Sequence, residues 1–218
     1  NLGSNINSML NETQPVISSD GKTLFFIREN APDKFGVTNN SIMFSTLKND
    51  NTWNFARILG GVLSNKGENG YSVMHDGTSL LLGNIYNKDG SISSGLSVSH
   101  KEESGWSFPE KIQIKKFSAG NSNTTFFMSN DGKTLLLAFE GKNGFGGLDI
   151  YVSFRLNDGS YSEPLNLGPD INSPADDFSP FLADDNSTLY FSSSGISGFG
   201  SSDIFMSRRT SEKWDKWT

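Results

Sequence analysis

Three sets of residues return at one interval along this chain. Ser45, Ser99, Ser153 and Ser207 are each 54 residues apart, and Gly36, Gly90, Gly144 and Gly198 keep the same step. A third set is slightly looser: Asp20, Asp76, Asp131 and Asp185 are separated by 56, 55 and 54 residues. These aspartates sit in matching segments. They are Ser19-Asp20-Gly21-Lys22-Thr23-Leu24, His75-Asp76-Gly77-Thr78-Ser79-Leu80, Asn130-Asp131-Gly132-Lys133-Thr134-Leu135 and Asp184-Asp185-Asn186-Ser187-Thr188-Leu189. Independent anchors that hold one period require four copies of one structural unit, which fixes the architecture before any single residue does.

Each copy reads as four short strands. In the last, residues 178–183 form the first strand, Asp184-Asp185-Asn186 the turn and 188–193 the second strand. A Gly-rich loop over 195–202 leads into a third strand at 203–207, and a fourth begins around 214–217. Asp-Gly and Asp-Asn supply the positive-φ residues that two-residue hairpin turns need. Pro, Gly or Asn-Asp pairs interrupt every candidate amphipathic helix. A four-stranded sheet alone cannot hide both of its faces, so it needs neighbours packed face to face. The expected fold is therefore all-β, a β-propeller of four four-stranded blades, with a solenoid of sheets as the alternative. One domain is expected over 1–218, with repeats at about 4–59, 60–114, 115–168 and 169–218. Asn1-Leu2-Gly3 looks like the tail of the segment that closes the third copy, Tyr161 to Gly168. A closed four-bladed ring and four blades of a larger propeller are both compatible with that clue.

Composition excludes several classes. Lys+Arg 18 against Asp+Glu 24 leaves a net charge of −6, and no basic stripe of the kind that binds nucleic acid is present. Gly 23 added to 34% apolar residues places the chain with globular proteins. The densest apolar runs, Leu24-Phe25-Phe26-Ile27 and Leu80-Leu81-Leu82, are far shorter than a membrane helix. No direct membrane insertion is expected. With Cys 0, disulfides, thiolate metal sites and Cys nucleophiles are all excluded. The chain opens with neither an initiator Met nor a signal peptide, and is expected to be a mature or excised segment.

The repeats resemble the TolB-like, WD-like propeller repeats of Gram-negative envelope proteins. The resemblance rests on Asn-Leu-Gly at 1–3 and 166–168, Ile6-Asn7-Ser8 and Ile171-Asn172-Ser173, the Ser-Asp-Gly-Lys-Thr-Leu segment, and two Gly-rich loops. Those loops are Gly144-Phe145-Gly146-Gly147-Leu148-Asp149-Ile150-Tyr151 and the stretch Gly198 to Phe205. In that family such repeats lie between a tetratricopeptide region and an OmpA-like domain, including in type IX secretion and gliding machinery. The resemblance implies a non-enzymatic protein-interaction scaffold of a cell-envelope assembly, periplasmic or outer-membrane-associated, whose partners are envelope proteins. The alternatives are a carbohydrate-binding propeller with a glycan ligand, and an accessory propeller that gates a hydrolase domain outside this chain.

Catalytic chemistry finds little support. His75 occupies a turn position, His100 follows a strand, and no Ser-His-Asp motif accompanies either. The Gly144-Phe145-Gly146-Gly147 run is followed by a strand rather than the helix that a phosphate loop needs, so it is expected to be a tight loop in which Gly permits positive φ and Asp149 and Asp203 bond nearby backbone. The Ser-x-Asp-Gly-Lys-Thr segment misses the sialidase Asp box because Asp and Gly are adjacent. Asp176-Asp177 and Asp184-Asp185 could offer oxygen ligands to Ca²⁺, but without an EF-hand pattern they read as turn carboxylates. No catalytic, cofactor or metal site is expected. The aromatics Trp53, Trp106, Tyr161 and Trp217 recur beside the fourth strand, where packing competes with a glycan-stacking role. Eight residues before each repeat aspartate lie Glu12, Glu68, Asn123 and Asp177. They are expected to form an electronegative, partner-binding rim or, alternatively, to cap their own inter-blade loops.

Overall fold

The hairpin between the first two strands of a blade is set by side chains as much as by glycine. In the computed structural model, residues 2–18, 20–32, 36, 38–59, 63, 72–74, 78–118 and 124–218 are described. The Ser18 hydroxyl donates to Asp20 Oδ1 at 2.6 Å, that oxygen accepts from the Lys22 N–H, and Ser18 Oγ accepts from the Thr23 N–H. Ser129, Asp131, Lys133 and Thr134 repeat each of these bonds. Gly21, Gly132 and Asn186 hold positive φ as expected. The loop is longer than the expected two residues, however. Ser18 N–H bonds across it to the Thr23 carbonyl, which leaves four residues in the turn. The Asp carboxylate needs that extra length to fold back over the N–H two residues on.

The strands these turns connect form four antiparallel sheets, ordered as the chain runs except that the last short strand of blade 2 pairs with the third strand of that blade. Blade 1 contains β1 (Glu12–Ile17), β2 (Thr23–Pro32), β3 (Thr38–Thr46) and β4 (Arg57–Ile58). Blade 2 contains β5 (Ser72–Met74), β6 (Ser79–Tyr86), β7 (Ile92–Glu102), β8 (Gly105–Trp106) and β9 (Glu110–Lys111). Blade 3 contains β10 (Thr125–Met128), β11 (Thr134–Phe139), β12 (Asp149–Phe154) and β13 (Leu165–Asn166). Blade 4 contains β14 (Asp177–Leu182), β15 (Thr188–Ser193) and β16 (Asp203–Arg208). No helix appears among these elements, so the chain is all-β with the blades of a β-propeller. It divides into two units, Asn1–Lys111 and Ile112–Thr218, with two blades in each.

Blade 4 departs from the pattern at its outer edge. The fourth strand expected around 214–217 is reduced to one bridge between Arg209 and Trp217. Trp214 takes a positive φ of 63° and stacks edge-on against Trp217, while the Arg209 guanidinium lies 4.6 Å from the Trp214 ring centre. Packing two indoles here outweighs extending the ladder.

The second strand of each blade carries the core. In the first unit, Phe25, Ile27 and Ile42 of blade 1 pack against Leu80, Leu82 and Tyr86 of blade 2. The alternate residues Leu24 and Phe26 point to the other face, where Ile6, Met43, Trp53 and Ala56 cover them. In the second unit Leu135, Leu136, Leu137 and Ala138 are all fully buried. Burial of one such leucine stabilises by roughly 1.5–3 kcal/mol. β15 is different: Leu189 and Phe191 are buried, whereas Tyr190, beside Phe181 and Met206 in the register, is exposed.

The 54-residue serines have one shared task. Each is buried, and each hydroxyl donates to a carbonyl of the returning outer segment: Ser45 to Asn54, Ser99 to Ser107, Ser153 to Ser162 and Ser207 to Thr218, at 2.5–2.9 Å. The third strand is thereby tied to the outer edge in all four blades. Ser153→Ala should destabilise by about 1–2 kcal/mol, read as a lower urea midpoint, because a carbonyl loses its buried donor.

The turn aspartates also predict acid sensitivity. Hydrogen bonds from Ser18, Ser129 and Thr188 hold the carboxyls of Asp20, Asp131 and Asp185 below the usual aspartate value. A depressed folded-state value stabilises above the unfolded pKa of about 4, and that stabilisation fades as pH falls through the folded value. Urea midpoints measured from pH 7 to pH 3 should fall below about pH 4. The fall should be shallower in the triple variant Asp20→Asn, Asp131→Asn, Asp185→Asn.

Candidate functional site

Of the four residues expected at a common rim, Glu12 and Asp177 fall among the described residues, and Glu68 and Asn123 lie outside them. Glu12 opens β1 and Asp177 opens β14, as their equivalent places in the repeat require. Both cap the loop before them. Glu12 Oε2 accepts from the Ser8 N–H at 3.1 Å, and Asp177 Oδ2 accepts from the Ser173 N–H at 2.5 Å. Glu12 also receives the Ser8 hydroxyl and, at 2.8 Å, Arg28 Nε. Burial pushes the Glu12 carboxyl up, but the Ser8 and Arg28 bonds outweigh it and leave the group below its ordinary value. Asp177 is fully buried and its Oδ1 has no hydrogen-bond partner.

The Gly-rich loop of blade 3 encloses a second buried carboxylate. Asp149 Oδ2 accepts from the Phe145 N–H at 2.7 Å and from Asn166 Nδ2 at 3.3 Å, while Oδ1 is buried without a partner. Blade 4 repeats the clamp, with Asp203 Oδ2 accepting from Phe199 N–H and Gly200 N–H. The expected bonding of both aspartates to nearby backbone is thus observed. The reason for the glycines is space rather than positive φ: a Cβ at Gly144 or Gly198 would collide with the clamping carboxylate. Burial, with the Asp177 charge as a lesser cause, holds the Asp149 carboxyl above its ordinary value. The Tyr151 hydroxyl, two residues on, is also buried, and burial raises its pKa above the ordinary tyrosine value. Among the described residues, no group of three or more His, Asp or Glu side chains is placed to hold a metal. His100 shares a 2.9 Å hydrogen bond with the Ser79 hydroxyl, and His75 lies outside the described residues.

The recurring aromatics divide. Tyr161 and Trp217 are buried, and the Tyr161 hydroxyl donates to the Gly132 carbonyl at 2.7 Å, so both serve packing. Trp53 is half-buried. One side covers the blade 1 core, and the residue also lines a pocket of about 400 Å³ in the first unit. Asn5, Asn51, Thr52 and Ser4 line the same pocket, with Leu2 and Gly3. Asn5 Nδ2 donates to the Trp53 carbonyl at 2.7 Å, joining the N-terminal segment to the β3–β4 turn. That turn is stiffened by Asp50, which accepts from both the N–H and the hydroxyl of Thr52. Sequence reasoning reached Trp53 through its repeat position but missed Asn5 and Asn51, which come from segments 46 residues apart.

No protein-family model and no curated protein matches the chain. Solved structures do. The α-L-arabinofuranosidase from Lactobacillus brevis superposes with a TM-score of 0.52 at 13% identity, over 96% of this chain and 72% of that one. The periplasmic gluconolactonase PpgL of Pseudomonas aeruginosa gives 0.46 at 13% identity, over 92% of this chain and 54% of that one. The chain thus spans about half the length of the gluconolactonase. What survives of the TolB-like, WD-like resemblance is the β-propeller fold. The expectation of a non-enzymatic envelope scaffold is corrected here: the structure that superposes with a TM-score of 0.52 is by name an α-L-arabinofuranosidase, although at 13% identity the likeness shows the fold alone.

The Gly-rich loops give a paired test. A Cβ at Gly146 would strike the backbone of Pro174 and Ala175, which cannot move aside, whereas at the equivalent Gly200 nothing lies closer than 3.7 Å. Gly146→Ala should cost about 1–3 kcal/mol and Gly200→Ala much less, compared by thermal unfolding.

Proposed function

We propose that this chain is a carbohydrate-binding propeller module. The observation that carries the reading is the pocket at Trp53. An indole offers an apolar face to the C–H face of a pyranose or furanose ring. The side chains of Asn5, Asn51, Thr52 and Ser4 offer donors and acceptors for its hydroxyls. Pockets of about 300–1,000 Å³ that combine an aromatic surface with a few fixed polar groups are the usual form of small-ligand sites. The bonds from Asn5 to Trp53 and from Thr52 to Asp50 hold the walls in place, which lowers the entropy lost on binding. The propeller fold shared with an arabinofuranosidase is in keeping with a sugar ligand.

Binding is preferred to hydrolysis for a chemical reason. Glycoside cleavage ordinarily needs two carboxyl groups flanking the bond. Among the described residues, those lining the pocket include no Asp or Glu, and the Asp149 and Asp177 carboxyls are sealed from solvent.

A glycan array followed by titration calorimetry of the best hit tests the reading. Asn51 has a positive φ of 60°, so Asn51→Gly removes its amide without straining the turn. Asn51→Gly and Trp53→Phe should each weaken glycan binding about tenfold, close to 1.4 kcal/mol, while the thermal midpoint changes little. Absence of any glycan ligand, or affinities untouched by both substitutions, would show that the pocket is not a sugar site.

A further inference from the structure

The junction between blades 3 and 4 shows what one blade does for the next. Loop 144–148 of blade 3 is bonded to the segment that enters blade 4. The Gly147 N–H donates to the Ala175 carbonyl, the Leu148 N–H to Asp176 Oδ1, and the Asp177 N–H to the Leu148 carbonyl. Phe127 of β10 meets Phe181 of β14 edge-on, with ring centres 5.0 Å apart. Leu136, Ile150 and Val152 of blade 3 are fully buried. One interval on, their counterparts in blade 4 are Tyr190, Ile204 and Met206. These are exposed, Ile204 at 78% and Met206 at 63%, and they share one face of the sheet with the half-exposed Phe181. Where the Pro174 and Ala175 backbone lies against Gly146, the described residues leave only Ser202 within 4 Å of a Cβ at Gly200. The complementary surface lies at the start of blade 1, where residues 6–17 correspond to 171–182. Met9 and Leu10 stand at the places of Pro174 and Ala175, and both are exposed. Ile17 is 54% exposed, whereas its counterpart Leu182 is buried. Blade 4 thus presents a face made to receive a blade, and blade 1 presents the surface that such a face receives. Contiguous apolar patches of this kind mark interaction sites.

We propose that the exposed face of blade 4 seats residues 9–17 of blade 1 from a second copy of this chain, head to tail. A second copy is the occupant that the repeat itself specifies. It carries the register equivalent of the segment seated at the junction of blades 3 and 4, and both surfaces are exposed in the single chain. The two surfaces differ, so the contact is heterologous, unlike the self-matching patch of a two-fold dimer. It rests on the blade junction and not on the sugar reading of the Trp53 pocket.

Sedimentation velocity of the whole chain over a concentration series tests this. The wild type should shift from one copy to larger species as concentration rises. The double variant Ile204→Glu, Met206→Glu removes the seat, and Ile17→Glu removes what sits there. All three positions are exposed, so each variant should stay monomeric with an unchanged thermal midpoint. An equimolar mixture of the two should regain a 1:1 complex, since each supplies the surface that the other lacks. If either variant fails to fold, single cysteines decide. The counterparts of Leu10 and Ser201 are Ala175 and Gly147, bonded carbonyl to N–H at 3.2 Å. Leu10→Cys mixed with Ser201→Cys should therefore form the mixed disulfide on mild oxidation, in preference to either homodimer. A wild type that stays monomeric at every concentration would overturn the proposal. So would association that survives in Ile17→Glu, which marks a contact between two blade 4 faces, or a mixture that yields neither complex nor mixed disulfide.

Discussion

Everything in this molecule depends on a strand that is buried on both faces. A four-stranded sheet of short strands exposes two apolar surfaces, and the second strand of a blade contributes to both. β2 shows the consequence, with Phe25 and Ile27 in one cluster and Leu24 and Phe26 in another. β11 carries it furthest, with four successive residues removed from solvent. An isolated blade would leave one of those surfaces wet, so blades are stable only in company. The serines at 54-residue spacing and the Ser-x-Asp turns then act on a scaffold already specified by burial. They fix which strand returns where, and they satisfy polar groups that this burial would otherwise strand.

Much of this was legible in the sequence because the repeat expresses it directly. The interval gave the blade count, and Asp-Gly and Asp-Asn marked the turns. The misreadings share a cause. The turn loop came out longer because a side-chain cap, Ser18 on Asp20 and Thr23, competes with backbone geometry and only its residue types are visible in sequence. The fourth strand of blade 4 gave way to a Trp214–Trp217 stack, a contact between two side chains that periodicity does not describe. The loop glycines looked like positive-φ residues, whereas Gly144 and Gly198 are required because a carboxylate sits where their Cβ would be.

The candidate site was less legible for a related reason. Repetition draws attention to what every blade shares, but a binding pocket is made where the copies differ. The aromatic position at Trp53 recurs as Trp106, which packs against the core of the first unit, and as Tyr161 and Trp217, which are buried; the copy at Trp53 lines a pocket with amide groups around it. The same logic separates Glu12 from Asp177. Their shared capping role follows from the repeat, while the exchange of arginine for serine opposite them changes the charge balance of the site. Function in this chain is therefore sought in departures from the repeat, on a frame that the repeat supplies.

Hydrogen–deuterium exchange with mass spectrometry tests the structural claim most directly. If two-sided burial of the second strand holds the blades, amides of β2 and β11 should be the slowest in the chain, exchanging only through global opening. Outer strands such as β13 and the Gly-rich loops should exchange much faster. Amides of Leu135–Leu137 that exchange as rapidly as those of the 141–147 loop would contradict the account.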